Sequence, residues 1–246
     1  MLLIMGISVP KAMGNDCELH WYLAASLTKP GTEIVQKWNK IPGNCSLYLI
    51  LGGSGQILNQ LTLSKKGDLY SPASDRFLDL AKQKNIVKKY QLLLKQIPVF
   101  ALSASGSSKV ASFSDLRSKE VRIALGNPKT MALGEIYMGI ENKMTPDTRH
   151  QIRVRTVLEA INLNQILNYL KTGVVDVGIA FDTSAKASNL AYIHFPNELS
   201  ISQNAYLVTT RFTRHEKEVR DVVHFISQQK QIFRKYGFKL SLKENE

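Results

Sequence analysis

Cysteine is nearly absent from this chain: two residues in 246, Cys17 and Cys45, at a spacing no metal site uses. Histidine is also scarce, with five residues and no ligand set among them. The stretch 215-HEKEV-219 lacks the second histidine of an H-E-x-x-H zinc motif. His20 in a strand pattern and His224 in a helix pattern read as packing or surface residues. No Cys–His or Ser–His–Asp arrangement suggests itself, so neither catalysis nor a bound metal is expected. Long apolar runs are missing too, and none reaches the ~18–20 residues that span a bilayer. Acidic residues are the minority charge, 20 against 32 Lys and Arg, for a net charge of +12. That balance invites a nucleic-acid reading. Yet the basic residues are dispersed, and the densest stretch, 82-KQKNIVKKYQLLLK-95, alternates with apolar residues like a solvated helix and strand face. No recognition motif accompanies it, so no nucleic-acid partner is expected; the basic surface favours a smaller anion.

What is present is a rhythm. Strand patterns at 18–25, 46–51, 68–71, 121–125, 152–156 and 175–181 alternate with helix patterns at 28–39, 55–64, 74–84, 114–118, 131–142 and 162–171. A final helix is expected from about 213 to 236, with Val219, Val222, Val223, Ile226, Phe233 and Tyr236 on one stripe. The alternation argues for an α/β fold with parallel sheets flanked by helices. Two long extended runs, 91–102 (broken at Pro98) and 190–209, are the natural crossings between two lobes. Lobe 1 is then 17–95 plus 206–246, and lobe 2 is 96–205. Residues 1–16 read either as a remnant of a signal peptide, with Leu2–Val9 apolar and 12-AMG-14 small, or as a plain tail; a basic n-region is missing. Each cysteine precedes a strand. If those strands are parallel neighbours, a Cys17–Cys45 disulfide is geometrically plausible and fits an exported protein; two free buried thiols are the alternative.

The glycines of 47-LYLILGGSGQILNQL-61 stand between a strand and a helix, an arrangement that exposes free N–H groups to an anion. The turn is not G-x-G-x-x-G, not a P-loop and not a G-x-S-x-G elbow, and by itself is equally a tight turn. A second strand-to-helix turn, 24-AAS-26, repeats it, and 125-LGNPKTMALGEI-136 and 160-AINLNQIL-167 supply two more in the other half. Four such turns could surround one anion with neutral donors, in the cleft beyond the strand ends.

The order 24-AASLT-28, GGSG, 68-DLYSPASDRFLDLAKQKNIV-87, 125-LGNPKTMALG-134, 173-GVVDVGIAF-181 and 232-IFRKYGF-238 resembles the periplasmic molybdate-binding proteins, type II solute-binding proteins of ABC importers, over Glu18 to Phe238. The resemblance implies a two-lobed fold with the ligand in the interdomain cleft, hinge closure, a monomer, a periplasmic or cell-surface location, a membrane permease as partner and no cofactor. It implies that a tetrahedral dianion is gripped by Ser26 and Ser54, through hydroxyl and N–H, and by the N–H groups of Leu133 and Leu163. The family's tyrosine position falls on Phe181, which has no hydroxyl; Thr130 or a water is the expected substitute. Pro72, Ser74 and Asn127 also depart from the family pattern, which makes the chain a divergent branch. Molybdate, tungstate and sulfate present only acceptors, whereas phosphate keeps a proton and wants a carboxylate acceptor. The nearby carboxylates, Asp68 and Asp182, read as structural. Molybdate or tungstate therefore ranks first, sulfate-like oxyanions next and phosphate lower. A small organic acid is a further option. So is a ligand-sensing domain of a transcription regulator, although no helix-turn-helix precedes the first strand.

Overall fold

A computed structural model describes residues 17–118 and 120–238. The two readings of residues 1–16, and the part of lobe 1 assigned to residues 239–246, lie outside the described residues. Two five-stranded sheets, each flanked by helices, form the frame. The first is assembled from β1 (Glu18–Ala24), β2 (Ser46–Gly52), β3 (Leu69–Ser71), β4 (Val87–Gln96) and β10 (Gln203–Thr210), in the order β2-β1-β3-β10-β4. The second contains β5 (Pro98–Leu102), β6 (Ile123–Gly126), β7 (Thr156–Ala160), β8 (Val177–Phe181) and β9 (Tyr192–His194), in the order β7-β6-β8-β5-β9. Both are mixed. β10 runs antiparallel to β3 and β4, and β5 runs antiparallel to β8 and β9, while β1–β2, β1–β3, β6–β7 and β6–β8 pair in parallel.

The central strands read as near-continuous apolar runs because helices cover both faces. Leu19, Trp21, Leu23, Val99, Phe100, Ala101, Val177, Ile179 and Ala180 are wholly buried. Around the first sheet lie α1 (Thr28–Trp38), α2 (Ser54–Ser64), α3 (Asp75–Gln83), α10 (Glu216–Gln228) and α11 (Lys230–Lys235). Around the second lie α4 (Ala104–Lys109), α5 (Asp115–Ser118), α6 (Ala132–Glu141), α7 (Pro146–Val154), α8 (Leu163–Lys171) and α9 (Asp182–Ala187). The chain passes from one sheet to the other at Ile97 and returns between His194 and Gln203.

Two local expectations need correction, and one stretch for which no element is expected proves helical. The strand expected at 152–156 is largely the end of α7. Thr145 caps that helix by accepting the Thr148 N–H at 3.2 Å, and Pro146 pre-sets its first turn, so β7 starts only at Thr156. The polar 103–109 stretch is helical because the Ser103 hydroxyl accepts the Gly106 N–H at 3.0 Å. The single helix expected over 213–236 is two, broken at Gln229.

The β1–β2 register, Glu18 opposite Ser46, sets Cys17 and Cys45 side by side at one sheet edge, Cα atoms 4.8 Å apart, and they are joined as a disulfide.

Candidate functional site

Four helix starts meet where the lobes touch. Ser26 lies in a short 3-10 turn, Ala25–Leu27, that carries β1 into α1. Ser54 opens α2, Leu133 is the second residue of α6, and Leu163 opens α8. First-turn N–H groups have no acceptor within their own helix and point outward, with the positive end of the helix dipole behind them. Ser26, Ser54, Leu133, Leu163 and Phe181 all line one small cavity of about 20 Å³, together with Gly53, Ala73 and Met131. The space exceeds the roughly 10–15 Å³ that a single water requires.

Each serine is held differently. The Ser26 hydroxyl is buried and has no hydrogen-bond partner among the described residues. The Ser54 hydroxyl accepts the Ala73 N–H at 3.1 Å, which leaves its own proton free to be donated. Tyr70, wholly buried, donates to the Ser54 carbonyl at 3.0 Å, and burial pushes its phenol well above the ordinary range, so it stays a donor. Tyr70 and Ala73 thus fix Ser54. Sequence reasoning gave neither a role, although both lie within the quoted 68–87 segment.

Phe181, 1% exposed, presents a ring rather than a hydroxyl. Thr130, expected as the substitute donor, is not among the residues that line the cavity, and its hydroxyl is buried without a partner among the described residues. Its carbonyl accepts the N–H groups of Gly55 and Gln56 at 2.9 and 3.2 Å, a backbone clasp between lobe 2 and the start of α2. Gly53 makes that approach possible. A Cβ there would stand 2.2 Å from the Thr130 carbonyl oxygen and 2.4 Å from that of Ile161. A second contact between the lobes runs from the Lys29 ammonium to the Ala187 carbonyl.

The cavity wall carries no charged side chain. Asp68 is occupied by the His20 N–H at 2.8 Å and the Thr213 hydroxyl at 2.7 Å. Asp182 accepts the N–H groups of Ile97 and Thr183, at 3.3 and 2.8 Å. The half-buried Glu135 sits on α6; burial raises its carboxyl, opposed by the charge of Arg76. Among the described residues no group of three or more His, Cys, Asp or Glu is placed to hold a metal. Chemically, the cavity presents two serine hydroxyl-bearing side chains and no charged group.

Residues 19–239 match the family model of the bacterial extracellular solute-binding proteins. A Haemophilus influenzae protein provisionally named as a binding protein is 29% identical over 163 residues, which are 66% of this chain and 65% of that one. A Bacillus subtilis protein provisionally named as an ABC transporter substrate-binding lipoprotein is 28% identical over 224 residues, 87% of this chain and 84% of that one. The periplasmic molybdate-binding protein of Azotobacter vinelandii superposes with a TM-score of 0.78 at 15% identity, covering 91% of this chain and 100% of that one.

Proposed function

Because this chain belongs to the bacterial extracellular solute-binding protein family, we propose that it captures a tetrahedral oxyanion, molybdate or tungstate first, for the membrane permease of an ABC importer. One observation carries the reading: four strand-to-helix turns, two from each lobe, converge on a single cavity that two serines line and no charged side chain enters. A fully ionised oxyanion has only acceptor oxygens, so it needs donors and no buried acceptor. Inorganic phosphate keeps a proton, and Asp68 and Asp182 are already engaged elsewhere, while no carboxylate lines the cavity. The fold likeness to a molybdate-binding protein agrees with this choice, but at 15% identity it speaks for the fold alone.

Ligand capture proceeds by closure. The Thr130 carbonyl on the α2 start and the Lys29–Ala187 contact are the latches of a closed form, and their release opens the cleft. Action outside the cytoplasm accords with the Cys17–Cys45 disulfide, since such bonds persist in oxidising compartments.

The test is a calorimetric titration series with molybdate, tungstate, sulfate and phosphate at fixed ionic strength. Tight binding of molybdate and tungstate, with sulfate weaker and phosphate weakest, is the expected order. Equal binding of all four would remove the basis for a neutral, shape-selective cage.

A further inference from the structure

A second space adjoins the oxyanion cavity and the oxyanion reading leaves it unused. It is a groove of about 340 Å³ between the start of α1, the helices α8 and α9 and the turn after α11, and Ala25 and Ser26 form a wall common to both spaces. Small-molecule sites begin at about 300 Å³, whereas the cavity itself holds only a compact ion. Two groove side chains are buried hydroxyls without partners among the described residues: Thr183, 3% exposed, and Ser184, 7% exposed. Unpaired buried hydroxyls are costly and rare in folded proteins, and both of these lie on the groove wall. Asn168 adds an amide, and Lys29 and Lys171 add two positive charges; no carboxylate lines the groove.

We infer that the two spaces form one composite site that, besides a bare oxyanion, takes a small organic phosphate monoester, its phosphoryl group in the cavity and its hydroxyl- or carboxylate-bearing arm in the groove. This rests on the oxyanion reading and extends it. Near pH 7 a monoester, with a second pKa of about 6, is largely a dianion with three acceptor oxygens. The fourth oxygen, which carries the proton in inorganic phosphate, carries the arm instead. The monoester therefore escapes the objection that excludes free phosphate from a cage without an acceptor. Thr183, Ser184 and Asn168 bond the arm's oxygens, and Lys29 and Lys171 favour an arm with further negative charge.

The experiment is calorimetric titration of the full chain with molybdate, methyl phosphate and glycerol 3-phosphate, in the native protein, the Thr183→Val/Ser184→Ala double variant and Lys171→Gln. Lys171 is exposed, so its replacement leaves the core intact should the double variant fold poorly. The native protein is expected to bind glycerol 3-phosphate at least about tenfold more tightly than methyl phosphate, roughly the worth of one buried hydrogen bond. Both variants should weaken glycerol 3-phosphate and leave molybdate within about twofold. Molybdate binding without glycerol 3-phosphate binding overturns the composite site and spares the oxyanion reading. Glycerol 3-phosphate binding that neither variant alters places the arm elsewhere and overturns the groove assignment. Failure of all three anions to bind overturns both readings.

Discussion

Ser26 and Asp176 show how single residues divide between function and stability. Ser26 keeps a buried hydroxyl that no described residue satisfies, a cost that a ligand oxygen would remove. Ser26→Ala should therefore fold as well as the native chain while binding molybdate about 10- to 100-fold more weakly, from about 1–3 kcal/mol for a lost donor to a charged oxygen. Calorimetry beside a melting curve separates the two effects; unchanged affinity would take Ser26 off the ligand. Asp176 does the opposite work. Burial alone would raise its carboxyl, but hydrogen bonds from Arg122, Ser105 and Lys109 more than offset this and hold it well below the usual carboxylate range. A pKa depressed on folding contributes stability that is complete above the unfolded value of about 4 and is lost as pH falls from there toward the folded value. Asp176→Asn should lower stability by about 1–3 kcal/mol at pH 7 and flatten the acid limb of a pH–stability profile below pH ~4.

Among the elements, α2 is the one that the proposed closure would engage. Its Gly53 has φ −66°, a value any residue adopts, so a methyl group there strains no backbone dihedral. The same methyl would collide with the Thr130 and Ile161 carbonyls of lobe 2. Gly53→Ala should therefore preserve the melting temperature within a few degrees yet block closure. Small-angle scattering should then show no compaction on adding molybdate, whereas the native chain is expected to compact. The edge of the first sheet has its own fastening. The disulfide spans a sequence separation of 28, and in the chain-entropy account a loop of that length is worth about 3–4 kcal/mol. Reduction, or Cys17→Ala with Cys45→Ala, should lower the denaturant midpoint accordingly. An unchanged midpoint would mean that the β1–β2 pairing holds that edge unaided.

At the scale of the whole molecule, charge and cage act at different ranges. The net charge of +12 attracts anions over roughly a Debye length, about 10 Å at 0.1 M salt, and does not discriminate among them. On the proposed function, discrimination belongs to the uncharged cavity wall. Raising ionic strength from about 0.01 to 0.5 M should thus slow molybdate association several-fold in stopped-flow measurements, while the molybdate-to-sulfate affinity ratio holds. A ratio that collapses with salt would put selectivity in the long-range field instead.

The alternation of periods, the small-residue turns and the sheet-edge cysteines are local features, so the α/β architecture and the strand-to-helix turns at Ser26, Ser54, Leu133 and Leu163 were legible from the sequence. Local signals failed where a cap decided the element, as Thr145 does for α7 and Ser103 for α4, because one side-chain hydrogen bond outweighs a weak apolar pattern. What only the tertiary structure decided is distance between residues far apart in the chain. It brought the Thr130 carbonyl to the start of α2 as a clasp, seated Tyr70 and Ala73 behind Ser54, and put Thr183 and Ser184 on a groove that shares a wall with Ser26. Those contacts depend on how two sheets lie against each other. That arrangement is fixed by the packing of whole faces, and no short stretch of sequence carries it.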